Sequence, residues 1–166
     1  MSLLVILLPA RERLAGRAGP EPATGLPAEW PFLLADDAGL VLHAGQAPAA
    51  LLPRAERRVL VLAPADVAWH RIDIPKAPAA RLRAALAGVL EDGLLDDAEQ
   101  VHLALADGAG AGRPGWVAAT DRARLAAALA ALEAVPGAVG IDGVVAALEP
   151  LAEGQARRGH FQGLVQ

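Results

Sequence analysis

The chain has 166 residues and a net charge of −4, from 15 basic and 19 acidic side chains; 54% of its residues are hydrophobic and 20% charged. That balance excludes a wholly disordered chain and leaves no basic footprint for nucleic acid. Cysteine is absent, which removes a disulfide scaffold, a thiolate metal site and cysteine catalysis together. Aromatics are only 3%, so the core must be built from Ala, Val and Leu.

The apolar start, Ser2 to Ala10, has no basic region before it and is interrupted at Pro9. It therefore reads as a buried strand, Leu3 to Leu8, and not as a signal peptide or a spanning helix. On this reading the chain is soluble and cytoplasmic. Arg11 to Trp30 is rich in Arg, Gly, Pro and Glu and reads as a loop. Two strands, Pro31–Asp36 and Gly39–His43, flank the turn Asp36-Asp37-Ala38-Gly39. Gly45 to Leu52 is ambiguous and is compatible with one turn of helix.

The clearest strands are Arg57–Ala63 and Val67–Ile74; the alternation of the second is cleanly apolar on neither face, which predicts an edge or an exposed face. From Pro78 the period becomes helical, with Leu82, Ala85, Leu86, Val89 and Leu90 on one face and a stop near Gly93. An acidic connector, Asp92 to Glu99, leads to strands Gln100–Ala106 and Gly115–Thr120 around a Gly-rich loop. A second helix follows over Arg122–Glu133, with Leu125, Ala128, Leu129 and Leu132 as its buried stripe. After the break at Pro136-Gly137, Ala138–Ile141 reads as a short strand and Val144–Leu148 as a short helix. A last strand is expected within His160–Val165. The class is mixed α/β or α+β, divided as a β-rich part (1–75), an α/β part of the same lobe (76–152) and a linker with a further strand (153–166).

The loop Asp107 to Gly115 is a poor phosphate cradle, because a strand follows it where a helix N-terminus is needed. His43, His70, His102 and His160 lack ligand spacing, so no metal is expected. Ser2 is the only serine, and Thr24 and Thr120 sit in no nucleophile elbow, so a serine triad is set aside. No cofactor is expected. The acidic group Glu91, Asp92, Asp96, Asp97 and Glu99 holds five of the 19 acids. It reads either as a solvated helix end or as a docking surface in which Leu94 and Leu95 supply an apolar centre.

The segments Val59-Leu60-Val61-Leu62-Ala63-Pro64, Ile74-Pro75, Val89-Leu90-Glu91-Asp92-Gly93-Leu94 and Val101-His102-Leu103 together resemble the N-terminal cytoplasmic region of type II secretion system protein L (GspL). The Leu-Glu-Asp stretch is the specific part, and Trp116 to Leu132 fits the family's next strand and helix. Gly88 departs from a Pro found in relatives. The resemblance implies an RNase H-like, actin-like half with a mixed sheet and flanking helices. It implies a non-catalytic scaffold at the inner-membrane platform, a fragment of a membrane-anchored protein acting on the cytoplasmic side of the bacterial inner membrane. The implied partners are the secretion ATPase GspE, platform proteins such as GspM, and a second copy as homodimer, with no nucleic acid and no direct membrane contact. The partner-binding candidates are Glu91, Asp92, Leu94, Leu95, Asp96 and Asp97. The alternative is an actin-like or RNase H-like nucleotide-handling domain, whose nearest phosphate turn is Asp37-Ala38-Gly39-Leu40.

Overall fold

A computed structural model of the chain describes residues 1–11, 25–135, 140–148 and 150. They fall into two compact units, Met1–Asp66 with Arg124–Leu148, and Val67–Ala123.

The first unit is a five-stranded mixed sheet. Its strands are β1 (Ser2–Leu8), β2 (Trp30–Asp36), β3 (Val41–Ala47), β4 (Arg57–Leu62) and, after the strands of the second unit, β8 (Gly143–Ala146). The order is β3-β2-β1-β4-β8, with β3, β2 and β1 antiparallel and β1, β4 and β8 parallel. This is the mixed sheet of an RNase H-like half. β4 is apolar nearly throughout because it is buried on both faces, with Val59, Leu60, Val61 and Leu62 all buried; β1 buries Leu4, Ile6 and Leu8 on one face, while Leu7 on the other is exposed. The registers Ile6↔Leu60 and Ile6↔Phe32 put these residues on one face, with Leu4, Arg58 and Leu34 beside them.

Helix α2 (Arg122–Glu133) belongs to this unit from Arg124 onward and buries Leu125, Ala128 and Leu132. Its direction follows from two charged groups. Near its start, Arg124 donates to the Pro9 carbonyl (2.7 Å), just past β1, and pairs with Asp66, just past β4. Near its end, Glu133 acts electrostatically on Arg58 at the start of β4. The helix thus runs antiparallel to β1 and β4.

The second unit pairs β5 (Ala68–Asp73), β7 (Pro114–Asp121) and β6 (Val101–Leu105) antiparallel, in the order β5-β7-β6. Helix α1 (Ala79–Leu90) closes its core. Ile74, Leu86, Leu90 and Val117 are buried there, with Ile72, Leu82, Leu94, Leu103 and Leu105 packed around them.

Most expected elements form within a residue or two of their expected bounds, and β5 is an edge, as its mixed alternation predicts. The turn after β2 is held by the Asp36 carboxylate, which accepts from the Ala38 and Leu40 N–H groups (3.0 and 2.8 Å), and Gly39 takes φ +80°. Gly45–Leu52 divides between the end of β3 and a 3-10 turn at Ala49–Leu51.

Three expectations are corrected. Val144–Leu148 is not a helix: Gly143–Ala146 is β8, parallel to β4. Its register is held by a reciprocal clamp, the Arg58 N–H donating to Asp142 Oδ2 (2.7 Å) and the Asp142 N–H to the Arg58 carbonyl (2.9 Å). Val89 is exposed, since α1 meets its sheet along the Leu82, Leu86, Leu90 row alone. Gly140 and Ile141 are outside any strand, and the rest of the expected 138–141 strand lies outside the described residues, as do the expected 160–165 strand and the 153–166 linker.

Candidate functional site

The candidate surface grows out of the end of α1. Alanines and the Leu82, Leu86, Leu90 spacing favour this helix, which starts after Pro78. Leu90 is 3% exposed and ends its buried row. A 3-10 turn at Glu91–Gly93 follows, and the Leu94 N–H donates to the Leu90 carbonyl (3.0 Å), closing the last turn. Beyond Gly93 the chain leaves the helix axis, because Leu94 is extended.

The connector is then strapped back onto α1. Arg83 Nη2 donates to the carbonyls of Ala98 (3.3 Å) and Val101 (3.1 Å). The Gln100 N–H donates to the Asp97 carbonyl (2.8 Å), and the Arg122 N–H to the Gln100 carbonyl (2.8 Å). Both ends of the connector are therefore pinned, which orders a loop that composition alone would leave loose.

This scaffold separates the six candidate residues by role. Leu94 is half-buried and packs against the core of the second unit. Leu95, the next residue, is fully exposed (103%). Glu91, Asp92, Asp96 and Asp97 are all exposed. Leu94, Leu95, Glu91, Asp96 and Asp97 share a shallow groove of about 420 Å³ with Ala87, Gly88 and Ala98; Asp92 does not line it. Above Gly88 the space is open, with no atom within 4 Å of where a Cβ would sit. The arrangement is a mostly polar groove on a pinned loop, with carboxylates around the few apolar groups of Ala87, Leu94, Leu95 and Ala98. It can hold an apolar side chain carried on a basic segment.

Sequence reasoning missed Arg83, Ala87, Gly88 and Ala98 as parts of this surface. The signal was present in α1 as the row Arg83, Ala87, Glu91, which lies on one helix face at i, i+4 spacing. His102, on β6 beside the strap, has its pKa lowered by desolvation first and then by the Arg83 and Arg122 guanidiniums. Among the described residues, no group of three or more His, Asp or Glu side chains is arranged to hold a metal.

The alternative phosphate turn after β2 is already filled. The Ala38 and Leu40 N–H groups that would face an anion are donated to the Asp36 carboxylate, and the Gly39 N–H to the Asp36 carbonyl (3.1 Å). An anionic phosphate would have to displace a carboxylate of the same chain.

The first unit is thus an RNase H-like half and the second a three-stranded sheet with one helix, whose groove at the end of α1 is the candidate site. The sequence model of the type II secretion system (T2SS) protein L family matches residues 27–142, and the chain belongs to that family. Among curated proteins, none matches it. Among solved structures it is similar to the cytoplasmic domain of EpsL, an inner-membrane component of the type II secretion system of Vibrio cholerae. The identity is 22% and the TM-score 0.61, over 88% of this chain and 57% of that one. A more distant likeness is to a PilM–PilN type IV pilus biogenesis complex, at 18% identity and TM-score 0.43, over 69% of this chain and 45% of that one. The chain spans little more than half the length of the EpsL domain, and at this identity the likeness shows the fold.

Proposed function

We propose that this chain is the cytoplasmic part of a non-catalytic inner-membrane platform protein, and that it recruits the secretion ATPase GspE through the Glu91–Glu99 connector. Family membership supports a place in the secretion machinery. The observation that carries the docking surface is Leu95, a fully exposed leucine on a pinned loop, set among Glu91, Asp96 and Asp97 at an open groove. An apolar centre inside a charged rim is the anatomy of a protein interface. The carboxylates speed encounter with a basic partner, and the leucine supplies more of the affinity. Other platform proteins, such as GspM, are further partners on this reading.

The experiment is a charge-reversal set, Asp92→Lys with Asp96→Lys and Asp97→Lys, tested for fold by circular dichroism and for binding to the cognate ATPase across salt concentrations. The expected result is a folded protein with a slower association rate and a flattened salt dependence. A folded variant with unchanged affinity and unchanged salt dependence overturns the assignment.

A further inference from the structure

We propose, building on the docking assignment above, that Gly88 is the seat of an arginine or lysine side chain of the docking partner, whose aliphatic stem crosses α1 over the glycine and whose charged head reaches Glu91, Asp96 and Asp97. Gly88 lies inside α1, three residues before the 3-10 turn that begins at Glu91. Glycine there loses the most backbone freedom and is, proline apart, the poorest residue for a helix interior. Two things in a fold call for it all the same: a left-handed backbone, or a neighbour that leaves no room for a Cβ. Gly112 shows the first, at φ +74°. Gly88 has neither, since its backbone is helical and no atom lies within 4 Å of where its Cβ would sit.

The notch is therefore unused within the chain. It opens on an exposed part of the helix and belongs to the groove of about 420 Å³ at the end of α1. Glu91 stands three residues further on, about 4.5 Å along the helix axis and a neighbour on its surface. Among the described residues, Glu91, Asp96 and Asp97 have no basic side chain within 4 Å. Arg83, the cation in the helix row that leads to Glu91, is spent on the Ala98 and Val101 carbonyls. The three carboxylates that share the groove with the notch are thus left without a counter-ion from their own surroundings.

That combination selects the occupant. The apolar groups around the notch, Ala87, Leu94, Leu95 and Ala98, are few. A wholly apolar side chain over Gly88 would strip water from the carboxylates and return them no partner. Arginine and lysine answer both halves, with an aliphatic stem to lie on the helix and a charged head to pair with the acids. The missing Cβ lets that stem lie against the helix backbone while the head stays level with Glu91. Leu95, fully exposed beside the acids, is left to meet an apolar residue of the same partner.

The test uses the whole chain and the cognate ATPase, with binding measured across salt concentrations. Gly88→Leu fills the notch with a good helix former, so the protein is expected to fold, with a urea midpoint no lower than the parent's. Its dissociation constant is expected to rise at least about tenfold. Although it changes no charge, it is also expected to flatten the salt dependence, because the partner's cation no longer reaches the acids. Gly88→Ala is expected to lie between the two in affinity, and it carries the test should the leucine variant misfold. Glu91→Gln is expected to weaken binding in the parent and to add little in the Gly88→Leu background, since both remove the same contact. Ala80→Leu, the same kind of change about two turns earlier and outside the groove, is expected to bind as the parent does. Unchanged affinity in Gly88→Leu, weaker binding with an unchanged salt slope, or full additivity with Glu91→Gln overturns the proposal. So does a lowered urea midpoint in Gly88→Ala, which would show that the fold itself needs the glycine. If the charge reversal at Asp92, Asp96 and Asp97 weakens binding and Gly88→Leu does not, the seat fails and the docking surface stands; if neither weakens it, both fail.

Discussion

Three leucines in six residues, Leu90, Leu94 and Leu95, are chemically identical and structurally unlike, and truncating each to alanine measures how the helix end is built. Leu90 is 3% exposed within the core of the second unit. Leu90→Ala removes about three buried carbons, at about 0.8 kcal/mol each, and leaves a cavity beside Leu86 and Val117. The expected loss is about 3 kcal/mol. Leu94 packs on that core but is only partly buried, so Leu94→Ala is expected to cost less than Leu90→Ala, about 2 kcal/mol by the same scaling. Leu95 buries nothing, and Leu95→Ala is expected to stay within about 0.5 kcal/mol of the parent. Urea unfolding followed by circular dichroism reads the midpoint shifts at constant m, and ATPase binding is measured on the same three proteins. The order inverts between the assays: Leu95→Ala is neutral in stability and weakest in binding. A Leu95→Ala variant as destabilised as Leu90→Ala would show that Leu95 is packed, and would refute both the placement and the docking argument.

The buried pair of Arg124 with Asp66 gives a second expectation. Asp66→Asn leaves the guanidinium without its carboxylate in a site that is 5% exposed on the Arg side, and is expected to cost about 3 kcal/mol in a denaturant melt. His102 gives a third. Its folded pKa is lowered, so the unfolded chain binds the proton more readily; stability is expected to fall as pH drops through the ordinary histidine range near 6.5 and below. The effect is small because the side chain is largely exposed, and it vanishes in His102→Gln, which comparison of melts at pH 7.5 and pH 5.5 would show.

Much of this fold is legible in local sequence. Arg57–Leu62 declares a strand through its short continuous run of β-branched and apolar residues and Ala79–Leu90 a helix through its 3.6 period, and Asp36 with Gly39 declares a turn because a short carboxylate and a positive φ suit that geometry. The family is read across residues 27–142, which its sequence model matches. What the tertiary structure decided is every pairing across distance. Gly143–Ala146 is a strand because β4 lies open beside it and Asp142 locks onto Arg58, 84 residues away, and no property of Val144–Leu148 announces that partner. Arg124 sits buried in α2 because the carbonyl of Pro9 and the carboxylate of Asp66 converge there, whereas its charge alone predicts a solvated face. Leu94 and Leu95 divide between core and water because Arg83 ties the connector back at Ala98 and Val101. Periodicity reports how a segment repeats; which residues it meets depends on contacts that only the folded chain brings together.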